Sequence, residues 1–185
     1  MRLGLMADAL RKIYMDACCF IDMVRVKVGK VVTQDREADV WHLKRLLEAN
    51  RDKEVEIYSS TISIAECTHA GENDISAPVK SEFDRLLMSG QYVRLVQLTP
   101  FIATDARDLR WVHGINLKGA DSIHVASAIA MKCEEFLSAN GRLARLANAG
   151  NALARQGLHV RTGRQTQCLP ERYRQLSLAD EPARN

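Results

Sequence analysis

The chain has 185 residues, 46% hydrophobic and 26% charged, enough for one compact domain with a substantial buried core. No apolar run reaches the length of about eighteen residues that a membrane-spanning helix needs, and residues 1–16 set Arg2, Asp8, Arg11 and Lys12 among short apolar pieces, unlike the uninterrupted centre of a secretory signal. Cys18, Cys19, Cys67, Cys133 and Cys168 lack the paired spacing of a zinc site or a disulfide framework, so reduced, mostly buried thiols in a cytoplasmic protein are expected.

Short β-rich runs alternate with longer helical ones, the pattern of an α/β fold with a mainly parallel central sheet of four to five strands. Residues 12–15 (KIYM) read as the first strand and 17–28 as the helix after it. Residues 35–51 place Val40, Leu43, Leu46 and Leu47 at helical spacing, with Trp41 flanking the stripe, and predict a helix. Residues 55–59 (VEIYS) form a second strand, followed by a helix that starts near Ser60 or Thr61 and carries Ile62, Ala65 and Glu66. Residues 71–77 break the chain. Pro78 then begins a helix through Phe83, Leu86 and Leu87, which Gly90 ends; proline suits a first turn because its φ is fixed and its missing donor is not needed there. Residues 93–98 are the third strand, 101–112 a helix, and 121–132 a further helix rich in alanine and isoleucine. A fourth strand spans 136–138, a long helical tract slackened near Gly150 covers 142–156, and a fifth strand lies at 158–161. Residues 1–177 are expected to form a single domain and 178–185 a disordered tail.

The net charge of +3 is unevenly spread. Residues 1–135 carry 18 basic and 20 acidic groups, whereas between 136 and 174 Arg142, Arg145, Arg155, Arg161, Arg164, Arg172 and Arg174 face only Glu171. Guanidinium groups match phosphate oxygens bidentately, so this stretch reads as a phosphate-meeting surface; a solvated helix face accounts for the charge equally well.

Several polar residues fall just after a predicted strand or at the start of a helix. Asp16 closes the first strand, Glu66 lies in the helix launched from the second, Asp121 opens the alanine-rich helix, and Ser138 and Asn140 follow the fourth strand. In an open α/β sheet such positions gather at the carboxyl ends of the strands, where ligands bind. Crowded carboxylates repel one another unless a divalent cation neutralises them, and hard oxygen donors suit magnesium or manganese. Each residue also has a plainer reading. Asp121 fits a helix cap or a favourable first-turn charge, and Ser63-x-x-Glu66 has the spacing of a capping box. Asp16 has few structural roles beyond capping the next helix. His124, one turn beyond Asp121, is a testable proton carrier, with packing on the Ile123 and Ala126 side as the favoured reading. Cys18 and Cys19 adjoin Asp16 and would expose the site to oxidation or soft metals.

Together these strings resemble the motifs of the PIN domain family. Residues 13–22 (IYMDACCFID) resemble its opening motif, an apolar strand ending in the first metal-binding aspartate; 59–66 (SSTISIAE) resemble the second, closed by its glutamate; 119–128 (GADSIHVASA) resemble the third, and are the most specific; 136–140 (FLSAN) resemble the fourth. Order and spacing extend the likeness over residues 12–161. The resemblance implies a three-layer α/β/α fold, with Asp16, Glu66 and Asp121 holding Mg2+ or Mn2+ and an activated water hydrolysing an RNA phosphodiester. Asn140 stands where many members have a fourth acid and offers a carbonyl oxygen without charge, so one strong ion and a weaker, substrate-dependent one are expected.

The chain looks most like small prokaryotic PIN proteins, many of them toxins of toxin–antitoxin pairs, which implies a cognate antitoxin and a homodimer. Ser138, Arg142 and Arg145 are the residues expected to meet RNA. The alternative is a noncatalytic PIN module that binds RNA or a protein partner, which Asn140 favours. A small-molecule phosphatase lacks support: no second aspartate follows Asp16 by two residues, and there is no glycine-rich phosphate loop.

Overall fold

The sheet grows outward from the first strand. In a computed structural model, which describes residues 9–70, 76–117, 119–141, 143, 145 and 152–175, β1 (Arg11–Met15) lies at the centre. It is flanked by β2 (Val55–Ser60) and β4 (Glu135–Leu137), and these by β3 (Arg94–Val96) and β5 (His159–Arg161), in the order β3-β2-β1-β4-β5. Every pairing is parallel: Ile13 sits opposite Ile57 and Glu135, and Tyr14 opposite Tyr58 and Phe136. Ile13, Tyr14 and Met15 are fully buried, because a parallel sheet covered on both faces has no solvent side to alternate with.

The pleat divides the core in two. Ile13, Met15, Val55, Ile57 and Leu137 face α1 (Ala17–Lys27), α2 (Gln34–Arg51) and α4 (Ala77–Met88), while Tyr14, Tyr58, Val96 and Phe136 face α5 (Pro100–Trp111) and α6 (Ala120–Ala130). The result is a three-layer α/β/α arrangement. The short helix α3 (Ile62–Glu66) leaves β2 directly, and its last residue precedes Cys67, whose thiol lies 3.9 Å from the Ala17 carbonyl. That contact sets the end of α3 against the start of α1.

Most predicted bounds agree with the structure within one or two residues. The third strand is shorter than the expected 93–98, since β3 is an edge strand that pairs only with Tyr58, Ser59 and Ser60 before β2 turns into α3. The fourth begins one residue earlier because Glu135, only 3% exposed, enters the ladder with its charge bonded to Thr166 Oγ1 (2.6 Å) and the Gln167 amide (2.8 Å). Of the expected helical tract 142–156, residues 142, 144 and 146–151 lie outside the described residues, as do 71–75 and the expected tail 178–185, and Ala154–Gln156 is a 3-10 turn. Beyond β5 the chain runs back along α2 through 3-10 turns at Gly163–Gln165 and Glu171–Tyr173. Gly163 is required there: a Cβ would stand 2.5 Å from the Asp39 carbonyl oxygen.

Candidate metal centre

The strand order reverses between β1 and β4, since β2 and β3 build one half of the sheet and β4 and β5 the other. The crevice beyond the carboxyl ends of strands at such a switch point is where open α/β sheets bind ligands. Here the two strands deliver Asp16 and Ser138. The ladder continues through them, with the Asp16 amide donating to the Leu137 carbonyl (3.0 Å) and the Ser138 amide to the Arg161 carbonyl (2.9 Å).

Asp16 is 7% exposed and the N-cap of α1. Its Oδ1 accepts from the Ala17 amide at 2.7 Å, and its Oδ2 accepts from Ser138 Oγ at 2.8 Å and from the Cys18 thiol at 3.3 Å. Both oxygens are therefore held by donors, and the positive end of α1 lies against the carboxylate. Ser138 is buried and receives the Asn140 amide at 3.0 Å, so this residue, expected to meet RNA, sits beneath the carboxylate and fixes it.

Glu66 ends α3, and its carboxylate is partly exposed. The capping-box reading with Ser63 fails: the N-cap is Thr61, without a side-chain cap bond, and Ser63 Oγ lies 2.8 Å from Ser59 Oγ, which donates to the Met15 carbonyl. Glu66 instead points Oε2 at His124 Nε2, 2.6 Å away. The same nitrogen is 3.7 Å from Asp16 Oδ1, and donor atoms of Asp16, Glu66 and His124 all lie within 4.8 Å of one another.

His124 is therefore more than a packing residue. It is 1% exposed, its Nδ1 is 2.7 Å from the Tyr14 hydroxyl, and its ring meets Tyr14 edge-on at 5.8 Å while Tyr14 stacks on Phe136 at 5.1 Å. Burial, reinforced by the Asp16 charge, pushes the Tyr14 phenol well above its ordinary pKa, so it stays protonated. Burial, with the Glu66 and Asp16 charges added, likewise pushes the Cys67 thiol up to about 12.

Asp121 lies in the first turn of α6, which follows Gly119. Gly119 has a φ of 55°, a left-handed conformation that suits glycine at the entry to the helix. Asp121 and Asn140 are half-buried and line, with Asp16, Cys18, Glu66 and Thr68, one open cleft of about 340 Å³. Asn140 also turns its Oδ1 back to accept the Leu143 amide at 3.3 Å. The described lining holds three carboxylates and neither lysine nor arginine. Such an oxygen-rich donor set fits a divalent cation.

The arginine-rich stretch is largely committed elsewhere. Arg161 pairs with buried Glu135, Arg164 with Asp35 and Asp39, Arg172 with Glu54 and Asp52, and Arg174 donates to the Leu169 and Thr166 carbonyls. The expected phosphate-meeting surface is thus in part a clamp: Arg161, Arg164 and Arg172 fasten the C-terminal part of the chain to β4, to α2 and to the loop after α2, while Arg174 ties that segment to itself. Arg145 is exposed, and Arg142 lies outside the described residues.

A family model described as PIN domain matches residues 13–149. No curated protein and no solved structure matches the chain.

Proposed function

The chain belongs to the PIN domain family, a nuclease-type fold, and on that premise we propose that it is an endoribonuclease dependent on magnesium or manganese. The observation that carries the reading is the cleft at the β1–β4 switch point, where Asp16, Glu66, Asp121 and Asn140 share one lining whose described residues include no lysine or arginine. Asp16, Glu66 and Asp121 would hold the ion. When bound, the ion polarises the phosphate and lowers the pKa of an attacking water.

The chain's own residues prepare that site. Ser138 and the Ala17 amide hold the Asp16 carboxylate in place before any ligand arrives, so little reorganisation is left for the reaction. His124 Nε2 stands 2.6 Å from the Glu66 carboxylate and 3.7 Å from Asp16 Oδ1, so the three side chains converge on one point. Asn140 presents an amide where a fourth acid would stand, so the charge for a second ion must come from the RNA phosphate itself. A single-stranded loop suits the open cleft, because its nucleotides can be splayed in while a duplex keeps its groove closed. Arg145, and Arg142 near it in sequence, are the side chains we assign to the RNA backbone. An antitoxin partner, a toxin role and a homodimer rest on the family resemblance.

Purified protein is incubated with labelled structured RNAs, with and without each metal, beside Asp16→Ala and Asp121→Ala. Metal-dependent cleavage lost in both variants is the expected result; equal cleavage by all three proteins refutes the assignment. Absence of cleavage with retained RNA binding would favour the second reading, a noncatalytic binding module, for which Asn140 is the specific observation.

A further inference from the structure

We propose that His124 supplies a nitrogen ligand to the metal alongside Asp16 and Glu66, with Tyr14 holding its ring, and that this makes the site prefer manganese to magnesium. The inference rests on the metal-dependent reading above and deepens it. Its first support is distance. An octahedral ion with bonds of about 2.1 Å has neighbouring donors about 3 Å apart; His124 Nε2 lies 2.6 Å from Glu66 Oε2 and 3.7 Å from Asp16 Oδ1, which brackets that edge. The three donor atoms form a compact set in which imidazole stands among the carboxylates.

The second support is the way the ring is held. A histidine that ligates through one nitrogen fixes the other with a hydrogen bond, which sets tautomer and orientation. At His124 that partner is the Tyr14 hydroxyl at 2.7 Å. The phenol is fully buried and stacked on Phe136, so it cannot swing away. A phenol oxygen can accept as well as donate, so this hydrogen bond is open to the tautomer in which Nδ1 carries the proton. In that tautomer Nε2 carries a lone pair facing the two carboxylates. Magnesium takes oxygen donors and dehydrates reluctantly, whereas manganese, an oxygen-seeking ion too, belongs to the first-row series that accepts nitrogen, so one nitrogen in the set handicaps magnesium more than manganese.

The test uses the metal ions alone, without RNA. Manganese binding to the full chain is followed by electron paramagnetic resonance, with pulsed detection of nitrogen coupling, and magnesium binding by competition. Wild type, His124→Gln, Tyr14→Phe and Asp16→Ala are compared, each checked for folding by circular dichroism and melting. The expected result is nitrogen coupling in wild type that disappears in His124→Gln, with manganese affinity falling about 10- to 100-fold and magnesium affinity falling less. Tyr14→Phe keeps the coupling and loosens manganese about tenfold. Manganese bound in an Asp16-dependent way without nitrogen coupling overturns the inference and leaves the metal-dependent function standing; so does coupling that persists in His124→Gln. Wild type that binds no more manganese than Asp16→Ala overturns both. The wild-type spectrum alone decides the matter if His124→Gln does not fold.

Discussion

Ser138→Ala removes one oxygen and tests whether the carboxylate beneath the cleft is held as described. The hydroxyl is 3% exposed, donates to Asp16 Oδ2 at 2.8 Å and accepts the Asn140 amide at 3.0 Å. Hydrogen bonds to a charged group contribute about 1.5–3 kcal/mol, and the Asn140 N–H loses its acceptor as well. The Cys18 thiol remains 3.3 Å from the same oxygen and offsets part of the loss. A cost of about 2 kcal/mol follows, which for a chain of this size lowers Tm by about 4–8 °C. The control is Ser127→Ala, equally buried, whose hydroxyl donates to the neutral Ile123 carbonyl one turn back and is worth about 1 kcal/mol or less. Thermal and urea melts in chelator-containing buffer measure both. Manganese affinity of Ser138→Ala, read separately, should drop about 10- to 100-fold because the carboxylate loses its orientation. If Ser138→Ala is no worse than Ser127→Ala in stability and binds metal like wild type, the holding role assigned to Ser138 is wrong.

Glu135→Ala should cost about 3–5 kcal/mol by urea denaturation, because it removes the charge paired with Arg161 and strips Thr166 and the Gln167 amide of a buried acceptor; a loss under about 1 kcal/mol would mean the C-terminal segment is not clamped there. Glu82 gives a pH signature. Burial alone would raise its pKa, but hydrogen bonds from Arg85 and Lys27 outweigh burial and hold it below the ordinary glutamate value, so its stabilisation is present above that value and is lost as pH falls through the lowered one. The stability gap between wild type and Glu82→Gln is therefore full at neutral pH and closes below about pH 4; a gap constant down to about pH 3 would refute the pairing. Thiol labelling at about pH 8 should find a single fast cysteine, Cys18, which is only partly buried, whereas burial pushes Cys67, Cys133 and Cys168 up to about 12, and a hydrogen bond with Cys18 together with burial raises Cys19. Fast labelling that survives in Cys18→Ser would contradict this.

The strands were legible because β1 and β2 are short β-rich runs whose neighbours are strong helix formers, and the position of Asp16 straight after KIYM told where β1 must stop. The cleft residues were legible from their places in the chain: Asp16, Glu66 and Asn140 follow strand ends and Asp121 opens a helix, and an open α/β sheet gathers such positions at one edge. His124 was read as packing because, within its own helix, it is one more residue on an alanine-rich face. Its partner Tyr14 is 110 positions away. The available signal was parity: in a strand covered on both faces, Tyr14 must face the layer opposite to Ile13 and Met15, and that layer contains the helix opened by Asp121. The fate of the arginines had no such signal. Arg164 meets Asp35 and Asp39 across more than a hundred residues of chain, and a count of charges carries no information about which acid an arginine will find.

The committed arginines and the acidic cleft bear on one another. A phosphate approaching the cleft meets Asp16, Glu66 and Asp121 with no lysine or arginine in the described lining to offset them, and Arg161, Arg164, Arg172 and Arg174 are already engaged by Glu135, Asp35, Glu54 and backbone carbonyls. Like charges at short range in a partly buried cleft are screened far less than on an open surface, so the unmetallated site repels the group it is proposed to cut. A divalent ion held there would cancel most of that charge and present a cation to the phosphate. On the proposed function the ion would therefore have two tasks, admitting the substrate and activating the water, and Arg161, Arg164, Arg172 and Arg174 are left to hold the C-terminal segment because phosphate recognition at the reacting centre does not fall to them.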